Sequence, residues 1–370
     1  MDNKSVIQNL LIFISVFLVG LGVIMIYSSS SIFAAQKFND SAYFLKKQTL
    51  FGICGIIGML IMMRVPYSLF TRFAYPLWAV SIVLLSMVLI PGIGTKVGGA
   101  VRWLRMGPLS FQPVEFAKFA VIILFAYTLS KKGRDSMKKF TIGVLPHFLL
   151  LLPICGLVIL QPDFGNFMLL LGMLLFMLFA AGTRISYLAL LGIIALVIAA
   201  GLICLEPYRL ERIMAFQNPW KYADTSGYQL KQSLLSFGSG GITGTGLGRG
   251  TQKLFYLPEP HTDFILSIIG EELGFLGVML VIGLFMTIIY CGIKVALHAE
   301  DLFGTYMALG IVLLLGLQAT LNMGVVMGLL PTKGMPLPFV SYGGTSLIIN
   351  LACVGVLLSI SAQCNFSQKR

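Results

Sequence analysis

The amino-acid sequence predicts an all-α, polytopic integral membrane protein, and both its composition and its apolar runs support that prediction. Of 370 residues, 57% are hydrophobic and only 11% are charged, and the mean hydropathy is +0.92. A soluble globular domain has about a quarter of its residues charged. The apolar residues fall in long runs, and roughly 20 such residues make a helix that crosses the hydrocarbon core of a bilayer. A water-soluble globule is therefore excluded.

About ten transmembrane helices are expected, and an even number places both termini on the same side of the membrane. The apolar runs occupy residues 10–27, 49–63, 73–93, 113–129, 140–160, 164–182, 185–205, 273–293, 302–330 and 345–362. The sequence shows no internal repeat, and no soluble domain is expected beside the spans. Residues 1–370 are therefore interpreted as a single transmembrane domain.

The short loop between the fourth and fifth spans orients the chain. It contains five cationic residues, Lys131, Lys132, Arg134, Lys138 and Lys139. Short loops rich in Lys and Arg stay in the cytoplasm, so both termini are expected there, and 206–270 becomes a large extracytoplasmic loop between helices 7 and 8. The net charge of +12 is scattered between apolar runs, which favours anionic membrane lipids rather than nucleic acid as partners.

Asp263 is the strongest candidate for chemistry. It follows a loop rich in Pro and Gly, two residues after His261, where the chain is expected to re-enter the membrane. Ionisable groups near a membrane are functional candidates by default. The alternative is that the acids here only cap the next helix, because acids are favoured at helix N-termini. We favour that alternative for Glu271 and Glu272, but not for Asp263.

Two further acids each allow two interpretations. Glu115 and Lys118 lie three residues apart on one face of the fourth span and can pair. They form either a self-neutralised structural pair or part of a cavity for a charged substrate, with Arg102 just outside. Asp163, in the QPDFG turn, either only caps the next helix or also contributes to a site.

Two loops are rich in glycine. The run 238–250 is interpreted as a flexible loop, although its amides, with Arg249 and Lys253, could meet a diphosphate. The segment 331–346 contains three prolines and three glycines, and it is expected to form a rigid loop that shapes a site, with Lys333 and Ser341 as its polar contributors. The sequence has no HExxH motif and no Cys/His cluster, which argues against a zinc site.

Four segments together resemble the signature segments of the SEDS family, which includes FtsW, RodA and SpoVE. They occur in family order across the chain: RWLRMGPLSFQPVEFAK, QPDFG, LPEPHTDFILSIIGEELGFLG and PTKGMPLPFVSYGGTS. The resemblance implies a peptidoglycan glycosyltransferase that polymerises lipid II at the outer face of the bacterial cytoplasmic (inner) membrane, working with a class B penicillin-binding protein. It also implies that Asp263 is the essential acid, and that Glu115, Lys118 and Asp163 match conserved family groups.

Within the family, the sequence is most similar to the FtsW members. Lys333 and Ser110 are typical of FtsW rather than RodA, whereas Val114 stands where the family usually has Ser. The resemblance thus implies septal cell-wall synthesis in cell division, with divisome proteins as partners. A RodA-type elongation polymerase is the alternative.

The mechanism expected from this resemblance needs a base and cations. Asp263 is the expected general base. Arg102, Lys118, Arg249, Lys253 and Lys333 are candidates to stabilise the undecaprenyl diphosphate leaving group, and His261 and Ser341 are further candidate substrate contacts. The sequence identifies no metal ligands, so a divalent cation such as Mg or Mn stays open as a cofactor. A lipid II flippase and a non-catalytic scaffold are the rivals. A transporter site should lie near the bilayer midplane, so an acid at the outer rim favours the enzyme.

Overall fold

The computed structural model describes residues 3–97, 100–107, 109–204, 207–252, 257–258 and 260–364. Its helices form a bundle, with a small sheet at one end. The α-helices are α1 (Asn3–Phe38), α2 (Tyr43–Arg64), α3 (Phe70–Leu89), α4 (Pro113–Ser130), α5 (Arg134–Met137), α6 (Leu145–Leu160), α7 (Phe164–Ala180), α8 (Ile185–Cys204), α9 (Pro207–Gln217), α10 (Tyr228–Gly240), α11 (Ile265–His298), α12 (Leu302–Val326) and α13 (Gly344–Gln363). A 3₁₀ turn, Tyr67–Leu69, leads into α3, and a π-helical turn, Phe140–Val144, leads into α6.

The predicted fold class, an all-α polytopic membrane protein, is confirmed. Within the described part of the chain, nine helices are long and apolar enough to cross a membrane, and α7 is a shorter apolar helix of 17 residues. Each of the ten predicted spans has a helix at its position. The number of spans stays a prediction, because 17 residues at 1.5 Å per residue reach only about 25 Å along a hydrocarbon core of about 30 Å.

The start of α11 lies eight residues before the predicted start of its span. The predicted span begins at residue 273, whereas α11 begins at Ile265 and is interrupted at Gly274, where φ is 67° and ψ is −165°. Glu271 and Glu272 therefore lie inside the first half of α11, and our interpretation that they cap the start of this helix is wrong. The residues 265–269, apolar except for Ser267, extend the helix backwards, and the glycine allows a break that periodicity does not reveal.

A three-stranded antiparallel sheet precedes α4 and was not predicted. Its strands β1 (Gly94–Val97), β2 (Ala100–Met106) and β3 (Leu109–Phe111) pair in the order β1-β2-β3. Leu104 pairs with Gly94 on one side and Phe111 on the other. The sheet holds Arg102, on its central strand, next to the turn between α6 and α7.

The segment between α8 and α11 is more than a loop. It contains α9 and α10, and α10 packs against α11 and α12. Ser233 on α10 shares a 2.7 Å hydrogen bond with Ser267 and donates to the Val326 carbonyl at 2.6 Å. These bonds tie the segment predicted as a large loop to the spanning helices.

The bundle has two ends, which we name by what they hold. The site end carries the sheet, the described parts of the segment between α8 and α11, and the loop 327–343. The terminal end carries the start of α1 and the end of α13, where Lys4 donates to the Ala362 carbonyl and Gln8 donates to Ser361 at 3.0 Å. The predicted site residues in the described part of the chain belong to segments at the site end, except Glu115 and Lys118, which lie in the first turns of α4.

Candidate active site at the site end of the bundle

The centre of the site is the loop backbone at 333–335, which lies between two acids that are far apart in sequence. On one side, the start of α7 packs against it, because a Cβ on Gly165 would lie 3.3 Å from Met335 Cγ and 3.6 Å from Lys333 Cδ. On the other side, a Cβ on Gly334 would lie 2.8 Å from Asp263 Oδ2. Consecutive Cα atoms are 3.8 Å apart. The loop thus brings Lys333 and Asp263 into one site.

Asp163 is the better enclosed of the two acids. It is the N-cap of α7, where its carboxylate accepts from the Asn166 amide at 3.2 Å and from Asn166 Nδ2 at 2.9 Å. The predicted capping role is therefore confirmed. Asp163 is only 3% exposed, and its Oδ2 also lies 3.8 Å from Arg102 Nε.

Arg102 and Lys333 approach Asp163 from different segments. Arg102 donates to the carbonyls of Gln161 and Pro162, which fixes its side chain against the turn. The Lys333 ammonium lies 4.9 Å from the centre of the Phe164 ring. Burial lowers the pKa of Lys333, and the Asp163 carboxylate opposes that shift. The two cations next to Asp163 supply positive groups that suit an anionic group of a substrate.

The Asp263 carbonyl makes a hydrogen bond that helps to hold this residue. Asp263 is half-buried, and its carbonyl accepts from Asn322 Nδ2 at 2.8 Å. The same Asn322 nitrogen donates to the Met335 carbonyl at 2.6 Å. One amide of α12 therefore joins the Asp263 segment to the 333–335 loop. The N-cap of α11 is Phe264, which makes no side-chain capping bond, so Asp263 lies one residue before the cap.

His261 is enclosed by aromatic rings. Its ring centre lies 4.4 Å from Phe44, 5.7 Å from Tyr342 and 6.1 Å from Phe33, and its carbonyl accepts from the Tyr342 amide. Burial, followed by the nearby Lys37 ammonium, lowers the pKa of His261 to about 4. The imidazole is thus neutral near pH 7 and supplies no positive charge. Its packing fixes the chain just before Asp263.

Ser341 shapes the loop. Its hydroxyl accepts from the Leu337 amide at 2.8 Å, its carbonyl accepts from Gln48 Nε2 at 3.3 Å, and the residue is 3% exposed. A substrate contact by Ser341 stays a prediction. The bonds that the structure does show stabilise the rigid loop predicted at this position.

Glu115 and Lys118 form the predicted ion pair, with Glu115 Oε1 and Lys118 Nζ 2.7 Å apart. Their side chains are 1% and 0% exposed, inside a helix that packs against α3 and α12. The pairing is confirmed. A contact between this pair and a substrate stays a prediction, because neither side chain reaches an open surface in this structure.

The glycine-rich run is ordered by the break in α11. Four of its glycines, at 241, 244, 246 and 248, have φ between 54° and 100°. Gly241 and Ile242 accept, through their carbonyls, from the first amides after the break, at Phe275 and Leu276. The run is therefore hydrogen-bonded to α11 in this structure, and the interpretation of it as a flexible loop stays a prediction.

Glu271 anchors the end of that run. Its carboxylate accepts from the Thr251 amide at 2.6 Å, the Thr251 hydroxyl at 3.0 Å and the Gln252 amide at 3.2 Å. Glu272 accepts from Ser28 on α1 at 2.7 Å. Arg249 is exposed nearby, and Lys253 lies outside the described residues. Within the described residues, no group of three or more His, Cys, Asp or Glu side chains could hold a metal ion.

Comparison with known proteins identifies the family. A sequence model of the FtsW/RodA/SpoVE family, described as "Cell cycle protein", matches residues 8–365. The chain belongs to the FtsW/RodA/SpoVE family. The resemblance predicted from its four motifs is thereby confirmed.

Family relatives cover nearly the whole chain. A Trichlorobacter lovleyi protein named probable peptidoglycan glycosyltransferase FtsW is 49% identical over 352 residues, which cover 95% of this chain and 92% of the relative. Stage V sporulation protein E of Bacillus subtilis is 42% identical over 359 residues, with coverages of 97% and 98%.

Solved structures of the family share the fold. A chain from a study of structural coordination of polymerization and crosslinking by a peptidoglycan synthase complex has a TM-score of 0.79 at 29% identity, covering 97% of this chain and 98% of that chain. RodA of Thermus thermophilus has a TM-score of 0.70 at 28% identity, covering 97% of each chain. The higher identity to FtsW-named relatives agrees with the FtsW-like features of the sequence.

Sequence reasoning missed two supporting residues of this family member. Asn322 lies in the middle of a predicted span, where a polar side chain between apolar residues signals a buried partner. Glu271 was assigned to helix capping, because nothing in the sequence indicated that α11 begins before it and breaks at Gly274. Both act through contacts with residues 13 to 59 positions away in sequence.

Proposed function

We propose that this chain is a peptidoglycan glycosyltransferase that polymerises lipid II into glycan strands. The observation that carries the proposal is the convergence of Asp263, Lys333, Asp163 and Arg102 around one rigid loop. Family membership and the names of its relatives support the same activity.

The reaction joins a sugar hydroxyl of one lipid-linked substrate to the anomeric carbon of another. The hydroxyl oxygen forms the new glycosidic bond, the bond from the anomeric carbon to the diphosphate breaks, and undecaprenyl diphosphate leaves with the electron pair. A carboxylate that accepts the hydroxyl proton contributes about 10² to 10⁴ in rate. We assign this role to Asp263, which is half-buried and fixed through its carbonyl.

The leaving group needs positive charge as its negative charge grows. Lys333 directly precedes Gly334, which touches Asp263, so one loop carries the cation and contacts the base, with the Lys333 ammonium on the Phe164 and Asp163 side. Arg102 adds a second positive group on the other side of Asp163. We assign the diphosphate to Lys333 and Arg102, with Arg249 and Lys253 as further contacts and Asp163 as the group that positions both cations.

The remaining predicted residues are assigned positioning or structural roles. We assign His261 and Ser341 to positioning of the HTDF segment and the 331–344 loop, because the first is packed among aromatic rings and the second accepts a loop amide. Glu115 and Lys118 are assigned to the integrity of the helix bundle below the site.

The protein is a multi-pass membrane protein, and we place it in the bacterial cytoplasmic membrane with the terminal end in the cytoplasm. The basic loop at that end supports this orientation, and it puts the active site at the outer face. A solved relative belongs to a peptidoglycan synthase complex, which supports a class B penicillin-binding protein as partner. The FtsW-like features support a place at the division septum among divisome proteins.

The position of the site favours polymerisation over transport. Its acids and cations lie in turns and loops at one end of the bundle, whereas the sites of many secondary transporters lie near the midplane, between broken helices. Among the described helices, α11 is the one with a non-helical residue inside it, and its break is filled by the glycine-rich run. A scaffold would leave Asp263 and the cations beside Asp163 without a use.

A direct assay tests the function. Purified protein, alone and with a class B penicillin-binding protein, is incubated with labelled lipid II, and the products are separated on a gel. Glycan polymer that requires this chain supports the proposal. If no polymer forms under any partner condition, while labelled lipid II crosses the bilayer of reconstituted vesicles, the flippase explains the site.

Lys333 should act through its positive charge. Charge-assisted hydrogen bonds are worth about 1.5 to 3 kcal/mol, so Lys333→Met should raise the KM for lipid II by roughly 10-fold or more. Lys333→Arg should retain much of the affinity, because it keeps a cation. Initial polymerisation rates over a range of lipid II concentrations measure both effects.

The matched control is Lys221→Met, which removes an exposed lysine from the same end of the molecule. It should leave the KM unchanged. Equal KM values for the Met and Arg variants of Lys333 would remove this residue from the substrate site.

A further inference from the structure

A cavity lies at the terminal end of the bundle, opposite the candidate active site. It encloses about 500 Å³ between α3, α4 and the start of α6. Its polar lining includes Tyr75, Tyr127, Lys131, Lys132, Thr141 and His147. None of the roles assigned to the active site uses this cavity.

The cavity carries unneutralised positive charge. Lys131 and Lys132 line it, and no acid does. The Lys131 ammonium donates to the Tyr127 hydroxyl and lies 4.1 Å from the centre of its ring, while Lys132 donates to the Ile142 carbonyl at 2.5 Å. Among the described residues, neither lysine has an ion-pair partner, because Asp135 of the same loop pairs with Lys138.

Lys132 is half-buried, which makes its charged form less stable than it would be in water. Burial lowers the pKa of Lys132, which shows that the ammonium is partly removed from water. An anion in the cavity would favour the charged form of Lys132. His147 beside it is fully buried; its Nδ1 pairs with the Gly143 carbonyl, and in the part of the chain described here its Nε2 has no hydrogen-bond partner.

The mouth of the cavity is apolar as well as basic. Tyr75 is 49% exposed and Ile142 is 43% exposed, and both belong to segments that the hydropathy assigns to the membrane. Lys131 is the C-cap residue of α4, so the cations lie at the level where this span ends. Tyrosines at such a level are typical of the membrane–water interface. The mouth therefore suits a molecule with an anionic head and an apolar body.

We propose that this cavity binds the phosphate-bearing head group of an anionic phospholipid, whose acyl chains lie along the exposed faces of α3 and α6. Basic pockets between spanning helices on the cytoplasmic side suit such head groups. A free phosphate would match Lys131 and Lys132 equally well, but it would leave the exposed Tyr75 and Ile142 without a role. The site lies at the far end of the bundle from the active site, so the proposal does not depend on the reaction catalysed there.

Lipid retention tests the proposal. The purified full chain is placed in mixed micelles of phosphatidylcholine with phosphatidylglycerol or cardiolipin, and the lipids that stay bound are measured by native mass spectrometry. The wild type should keep about one anionic phospholipid against an excess of phosphatidylcholine. The double variant Lys131→Gln, Lys132→Gln should bind it roughly 30-fold more weakly, since each cation near the surface contributes about a fivefold factor.

The matched control is Lys138→Gln, Lys139→Gln, which removes the same charge from the same loop without changing the cavity lining. It should bind like the wild type. A second test variant, Thr141→Glu, adds a negative charge at an exposed lining position and should also weaken binding, without removing either lysine.

Three results would overturn the proposal. The first is an equal loss of anionic phospholipid binding in the Lys131/Lys132 and Lys138/Lys139 double variants, which would indicate a general attraction of the lipid to the basic loop. The second is competition by inorganic phosphate or glycerol phosphate as strong as that by phospholipid, which would indicate a soluble anion. The third is equal retention of phosphatidylcholine and phosphatidylglycerol by the wild type, which would indicate an apolar groove only.

Discussion

Asp263→Asn should reduce the polymerisation of lipid II by at least about 10²-fold, equivalent to roughly 2.7 kcal/mol of transition-state stabilisation. Asparagine keeps the size of the side chain but removes its charge and its basicity. The loss should appear in kcat rather than in KM, because proton transfer helps the transition state and not the bound substrate. Single-turnover and steady-state rates on labelled lipid II separate the two.

The fold should survive this change. One contact that holds residue 263 is made by its carbonyl, which accepts from Asn322, and the substitution leaves that atom in place. Asparagine also fits the narrow space beside Gly334, because its side chain has the same number of heavy atoms as aspartate. The variant should therefore insert in the membrane and melt within a few degrees of the wild type.

The control for this prediction is Asp224→Asn, which removes an exposed carboxylate from the same segment. It should polymerise at the wild-type rate. A near wild-type rate for Asp263→Asn would rule out this residue as the base. If activity is lost together with the thermal transition, Asp263 is a structural residue instead.

Local sequence patterns predicted the local parts of this site. The Pro-Asp turn gave the N-cap of α7, and the spacing of three between Glu115 and Lys118 gave their ion pair, because both depend only on residues within one helical turn. Hydropathy gave the positions of the spans for the same reason. Their ends were less accurate, since polar residues continue α1 beyond its apolar run and α11 begins eight residues before the predicted start of its span.

The contacts that assemble the site could not be predicted in this way. Asn322 joins two loops that lie 59 and 13 residues away, and no local pattern encodes those distances. The break at Gly274 depends on φ of 67° and on carbonyls supplied by Gly241 and Ile242. A glycine within an apolar run looks the same whether the helix continues or breaks, so Glu271 was placed at the wrong end of a helix.

The sheet before α4 was missed for a related reason. Its strands are three to seven residues long, and they lie between two spans whose hydropathy dominates any window. Only the pairing of β2 with both neighbours makes them stable. The sequence did, however, place Arg102 just outside the fourth span, and the sheet carries it to Asp163.

Removing one member of the Glu115–Lys118 pair should be the most damaging single change to stability. The side chains are 1% and 0% exposed, so Glu115→Ala or Lys118→Ala leaves an unpaired charge inside the bundle. Breaking a buried pair in this way typically costs about 3 to 5 kcal/mol. Denaturant unfolding in detergent micelles measures the loss, and each single variant should also lose most of its activity.

The double variant distinguishes a structural pair from two separate functional groups. With both charges gone, no buried ion is left uncompensated, so Glu115→Ala, Lys118→Ala should be more stable than the sum of the single losses predicts. Activity should recover partly with stability. The exposed pair Asp135–Lys138, also three residues apart, is the control, and its double-mutant cycle should show little coupling. If the stability losses at 115 and 118 simply add, or if the double variant folds well but polymerises no better than the single variants, the pair takes part in catalysis and the assignment to bundle integrity is wrong.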